Sequence, residues 1–230
     1  MDKISKIIQE RAGKTARKMR ERHMFGGRVF VFVSDDLPKN FNLDFVLRKF
    51  EELVPEHLVY GLDGIYVGNF KFLNDKNYTA TYRDSVIYVT NEQTSEKEMV
   101  EDLVHEVSHM VEEESEAEIY DDRSIENEFL KKRRALLSVL NSNGFQPPPI
   151  VMKQPEYNPY LDKFFMKTVG YPMLTTLVNG IFNSPYAATS LREYFARGFE
   201  QFVMGDRNSL RKISPVLYLK LEELMYSDEV

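Results

Sequence analysis

The sequence predicts an α+β fold: a small twisted sheet and one long motif-bearing helix in the first half, and an almost wholly helical second half. Three observations lead there. Short runs rich in β-branched and aromatic residues, 28–34 and 85–90, occur only in the first half. After the first half, apolar residues recur at helical spacing, with one proline-rich interruption at 145–159. Between these regions, 95–117 is an unbroken helical pattern with the string His105-Glu106-Val107-Ser108-His109 at its centre.

The elements follow in order. Residues 2–24 read as a helix with Ile4, Ile7, Ile8 and Met19 on one side and eight basic residues along it, ended by Gly26-Gly27. This segment, 1–27, is expected to be a basic N-terminal helix preceding a single domain over 28–230. Residues 28–34 (Arg-Val-Phe-Val-Phe-Val-Ser) read as a buried strand, and 43–53 as a helix. Gly61, Gly64 and Gly68 among Tyr60, Ile65, Tyr66, Val67 and Phe70 suggest strands with turns or bulges over 58–73. Residues 85–90 form a short strand directly before the motif helix. That helix starts with Ser95 and Glu98, a capping box. Val100, Leu103, Val104, Val107 and Val111 mark its apolar stripe.

The α/β lobe is thus expected over 28–113 and a helical lobe over 114–230. A helix is predicted at 124–142, carrying Lys131-Lys132-Arg133-Arg134, which reads as a solvated face. The segment 145–159, with Pro147-Pro148-Pro149, reads as an extended connector. Helices are expected at 160–168, 172–181, 190–204 and 214–226, the last opened by Ser214-Pro215.

Composition narrows the function classes. Hydrophobic residues make up 43% of the 230 residues and aromatics 13%, which is globular composition. There is no cysteine, so disulfides, thiolate metal sites and a cysteine nucleophile are excluded. Any metal must be held by His, Asp or Glu. A net charge of −6 argues against a general nucleic-acid binder. No segment has the ~18 apolar residues of a membrane span, and the N-terminal residues lack a secretory pattern. The expected location is cytoplasmic by default, with delivery as a toxin or within a virion left open.

The motif carries the chemistry. Two histidines at i and i+4 on a helix project from one face, one turn apart, and their imidazoles can close on one Zn²⁺. Glu106, directly after the first histidine, would lie beside the open coordination position as a general base. A catalytic zinc needs a third protein ligand. Glu112 and Ser115 stand where metzincins carry Gly and His, so a downstream carboxylate is required.

Two carboxylates compete for that role. Glu128, nineteen residues after His109, has the spacing of the third ligand in the large aminopeptidases related to leukotriene hydrolase. Only the spacing resembles them, and their Gly-x-Met-Glu-Asn strand motif is absent. The alternative reading of Glu128 is an exposed acid pairing with Lys132. The other candidate is Glu193, in Pro185-Tyr186-Ala-Ala-Thr-Ser-Leu-Arg-Glu193-Tyr194-Phe195-Ala196-Arg-Gly-Phe199. With the His105–His109 string, this stretch resembles the anthrax lethal factor and Pro-Pro endopeptidase family of glutamate-zincins. In that family a Glu-aromatic-Phe-Ala helix carries the ligand, and a tyrosine seven residues earlier points its hydroxyl into the site. The resemblance implies Glu193 as third ligand and Tyr186 as that tyrosine. Two departures stand out. The gap from His109 to Glu193 is longer than the family's, so about 114–170 would be an insertion. Arg197 stands where relatives often carry a second acid, with Glu200 one turn on as a substitute. Ser190 and Glu193 also form a capping box by sequence.

The expected function is a zincin-like zinc endopeptidase with one Zn²⁺ per chain held by His105, His109 and Glu193. Glu106 would be the base and Tyr186 an oxyanion donor. A protein or peptide substrate would lie extended in the cleft, paired with strand 85–90 or the 60–72 region. The alternatives are an aminopeptidase-type glutamate-zincin using Glu128, and a catalytically silent, metal-stabilised interaction protein.

Overall fold

The computed structural model describes residues 20–227. The chain divides into two compact units, one ending at Met110 and one beginning at Val111. The division falls inside a single helix.

The first unit is built on a five-stranded sheet of order β1-β2-β3-β5-β4. Strand β1 (Glu21–Met24) pairs antiparallel with β2 (Val29–Val33). Phe25, Gly26 and Gly27 turn the chain between them, all with positive φ (49°, 65° and 104°). Glycine adopts such angles without steric cost, which is why Gly26-Gly27 makes a hairpin here. The helix expected over 2–24 lies outside the described residues up to position 19. At 21–24 the expectation is corrected: these residues form a strand, because the backbone of β2 offers them a ladder that local propensity does not foresee.

Helix α1 (Leu43–Leu53) begins where predicted. The Asn42 side chain accepts from the Phe45 N–H at 3.0 Å, and Leu43, Val46, Leu47 and Phe50 are buried at helical spacing. Strand β3 (Gly64–Gly68) runs parallel to β2 on one side and to β5 (Val86–Thr90) on the other. The region 58–73 therefore holds one strand, flanked by a short 3₁₀ turn at Glu56–Val59 and a four-residue helix, α2 (Lys71–Asn74). Gly68 has a steric reason: a Cβ there would collide with the Ser34 hydroxyl. Val29, Val31, Ile65, Val67, Ile87 and Val89 are all fully buried on one face of the sheet. The opposite face carries the aromatic row Phe30, Phe32, Tyr66, Tyr88, with successive ring centroids 5.6–6.4 Å apart.

Strand β4 (Ala80–Arg83) is not foreseen by the sequence reading. It pairs antiparallel with β5 at the sheet edge. Asp84 and Ser85 form the two-residue turn with φ of 50° and 62°, the left-handed pair that a tight hairpin needs. Both strands expected to receive a peptide, 85–90 and the one within 60–72, are internal, with neighbours on both sides.

Helix α3 (Glu96–Glu114) carries the motif. The Ser95 hydroxyl accepts from the Glu98 N–H at 3.2 Å, and the Glu98 carboxylate reaches back to the Thr94 N–H at 2.8 Å. Met99, Leu103, Val104, Val107 and Met110 are completely buried. The helix ends at Glu114, and a separate short helix, α4 (Glu116–Tyr120), follows Ser115.

The second unit is helical from there: α5 (Ser124–Ser142), α6 (Pro159–Lys163) running into a π-turn at Phe164–Val169, α7 (Tyr171–Leu177), α8 (Leu191–Met204), α9 (Arg207–Ile213) and α10 (Pro215–Tyr226). Helix α9 was not expected. The proline-rich connector is irregular except for a 3₁₀ turn at Val151–Lys153. Phe129, Leu136, Phe165, Leu174, Phe195, Phe199, Phe202, Leu217 and Leu221 form the core, each fully buried. Gly198 lets α10 approach α8, since a Cβ there would drive into Leu217.

The basic run on α5 is only half solvated. Lys131 and Arg134 face out, but Lys132 and Arg133 are buried. The Lys132 ammonium donates to the Ile181 and Ile213 carbonyls. The Arg133 guanidinium donates to the carbonyls of Val151, Gln154, Ala188 and Thr189. Burial pulls Lys132 down to about 8 and Arg133 to about 10. These cations act as interior ties for three loops, a role that a run of four basic residues does not announce.

Candidate metal centre

The motif histidines sit one turn apart on α3, their ring centroids 4.8 Å apart and nearly perpendicular at 87°. His109 is buried and His105 partly so. Glu106, also buried, points toward β4: its carboxylate accepts the Tyr82 backbone N–H at 2.6 Å. Tyr82 is in the middle of the edge strand, so the general-base candidate is held against the sheet edge.

One turn before Glu106, Asp102 accepts from the Thr79 hydroxyl at 2.9 Å and the Gln93 amide at 3.3 Å. Burial pushes its carboxyl up to about 6, with the charges of Glu98 and Glu106 adding to the rise against the two hydrogen bonds.

Glu193 is the third residue of α8. The Ser190 hydroxyl accepts its backbone N–H at 3.1 Å, which caps the helix. That bond uses the Glu193 backbone. His105, His109 and Glu193 can each offer one ligand atom, and these atoms lie within 4.8 Å of one another. Two imidazoles and a carboxylate, with no thiolate available, form a donor set that could hold a metal ion.

Glu128 is engaged elsewhere. Its carboxylate accepts from the Tyr194 hydroxyl at 2.7 Å and from the Val216 and Leu217 N–H groups at 3.0 and 3.2 Å. It therefore caps α10, whose first-turn N–H groups have no acceptor within the helix. Burial, then the adjacent Glu128 charge, push the Tyr194 phenol far above its ordinary value, so it stays a donor.

Tyr186 opens the short turn Tyr186–Ala188, which the Arg133 ties hold in place. The Arg197 guanidinium lies 5.3 Å from its ring centroid. Arg197 in turn pairs with Glu200 at 2.8 Å. Glu200, expected as a substitute acid, thus pairs with Arg197.

Three further residues were missed by the sequence reading. Burial raises the Tyr171 phenol above its ordinary value, with the charges of Asp162 and Glu193 adding to the rise and that of Arg197 opposing it. Nothing in Gly170-Tyr171-Pro172 signals this. Glu112 and Tyr120 form the other pair: the Tyr120 hydroxyl donates to the Glu112 carboxylate at 2.6 Å. Glu112 follows His105 by two helical turns, so it lies on the histidine face, a signal the helical spacing did contain.

No protein-family model, curated protein or solved structure matches this chain.

Proposed function

We propose that the protein is a zinc-dependent endopeptidase of the zincin type, similar to the lethal factor and Pro-Pro endopeptidase group. The observation that carries the reading is the His105–His109–Glu193 set, with Glu106 on the same helix as the two imidazoles. When bound, Zn²⁺ would lower the pKa of a coordinated water and polarise the scissile carbonyl. Glu106 accepts the water's proton and delivers it to the leaving amine. The Tyr186 hydroxyl donates to the oxyanion that develops on the carbonyl.

Strand addition requires a sheet edge, and β3 and β5 have none to offer. The strand whose backbone meets Glu106 is β4, at the edge. An extended peptide or protein segment along β4 would bring its carbonyls past the base. No described helix is long and apolar enough to cross a membrane.

The deciding experiment combines elemental analysis with cleavage of a mixed peptide library by wild type and Glu106→Gln. One zinc per chain in both, with cleavage by wild type alone, supports the reading. One zinc with no cleavage by either would favour a metal-stabilised interaction protein. Iron in place of zinc would move the site toward the two-histidine, one-carboxylate oxygenases.

A further inference from the structure

Glu193 is bracketed. The residue before it, Arg192, directs its guanidinium to the Glu112 carboxylate, 3.7 Å away. Two residues after it, the Phe195 ring packs edge-on against Tyr120, with centroids 6.5 Å apart. Tyr120 itself donates to Glu112 at 2.6 Å. Glu112 stands one turn beyond His109 on the same helix and is buried.

We infer that Glu112, Tyr120 and Arg192 form a positioning clamp, which locks the helix that carries Glu193 to the end of the helix that carries the two histidines. The inference rests on the metal-centre reading above. Glu193 is far from His109 in sequence, so its carboxylate must be placed by packing and not by local geometry. Ordering that placement before the ion arrives removes an entropic cost from binding. Outer groups that orient ligands typically change metal affinity by about 10–100-fold.

The three members are unequal. The buried Tyr120–Glu112 bond is the strong one: burial and the neighbouring Glu112 charge hold the phenol protonated, so it remains a donor. The Arg192 side chain is half exposed, so its ion pair is screened and contributes less. Neither Tyr120 nor Arg192 belongs to the metal-capable set. Their proposed action on the metal runs through the position of Glu193.

The test is a competitive titration of zinc against a chromophoric chelator on the full chain, beside thermal unfolding of the zinc-free protein in EDTA. Tyr120→Phe should weaken zinc binding about tenfold, and Arg192→Ala by a few fold with recovery in Arg192→Lys. A merely structural role would lower the zinc-free unfolding midpoint and leave the zinc Kd of the folded protein unchanged. Wild-type zinc affinity in Tyr120→Phe and in Arg192→Ala overturns the clamp while keeping the metal centre. A wild-type protein that takes up no more zinc than His105→Ala overturns the metal centre itself. Should Tyr120→Phe fail to fold, the exposed Arg192→Ala and Arg192→Lys pair decides: equal affinities sink the clamp, and a loss in Ala restored in Lys sustains it.

Discussion

The Glu106 carboxylate accepts a hydrogen bond from the Tyr82 backbone N–H at 2.6 Å. It joins the motif helix to the edge strand of the sheet. A charge-assisted bond from a backbone amide fixes where the carboxylate sits. On the proposed mechanism, a base tied to the strand that would receive the substrate would lie beside the bond to be cut.

Glu106→Gln follows directly. The amide oxygen can still accept from Tyr82, so fold and zinc content should be retained. The amide cannot take up the water's proton, so cleavage should drop by about 10²–10⁴-fold. Mass-spectrometric cleavage assays read this out, and equal turnover by variant and wild type rules out the peptidase mechanism.

The two candidate ligand acids separate cleanly. Glu193→Ala should lose stoichiometric zinc, as should His105→Ala. Glu128→Ala should keep its zinc but lose about 2–4 kcal/mol of stability, because the Tyr194 hydroxyl and the α10 amides lose a charged acceptor. Zinc loss in Glu128→Ala together with zinc retention in Glu193→Ala reverses the assignment.

Tyr186→Phe isolates the oxyanion role. Zinc binding should be unchanged and kcat about 10²-fold lower, the usual effect of one lost donor. Wild-type kcat in this variant would reduce Tyr186 to the packing partner of Arg197.

Asp102 should imprint a pH dependence on stability. Burial raises its carboxyl from 3.8 to about 6 in the folded protein, so the folded state holds that proton more tightly than the unfolded chain. Its contribution is most favourable below pH ~4, falls as pH rises through about 6, and levels off beyond, by up to about 3 kcal/mol in all. Asp102→Asn removes the titration, and the variant should be the more stable one at pH 7. Urea unfolding of both proteins in EDTA at pH 4.5 and 7 measures the difference, and a wild-type-to-variant gap that is the same at both values contradicts it.

Much was determined by the sequence alone. The mixed α+β class, α1 at Leu43–Leu53, α5 at Ser124–Ser142 and the motif helix were legible because local signals agreed: caps, apolar period and the absence of breakers. His105 and His109 were legible because both lie on one helix, where spacing alone sets their geometry. Tertiary structure decided the rest. Residues 21–24 and 80–83 became strands only because β2 and β5 supplied ladders for them, which four-residue segments cannot advertise. Local pattern does not separate Glu193 from Glu128, each an acid on an amphipathic helix, although the resemblance implies Glu193. They parted because one carboxylate groups with the two imidazoles, whereas the other meets the open amides at the start of α10. Lys132, Arg133, Glu112 and Tyr120 took roles set by distant carbonyls and side chains. Those roles depend on which groups folding leaves buried beside them, and burial is a property of the packed chain.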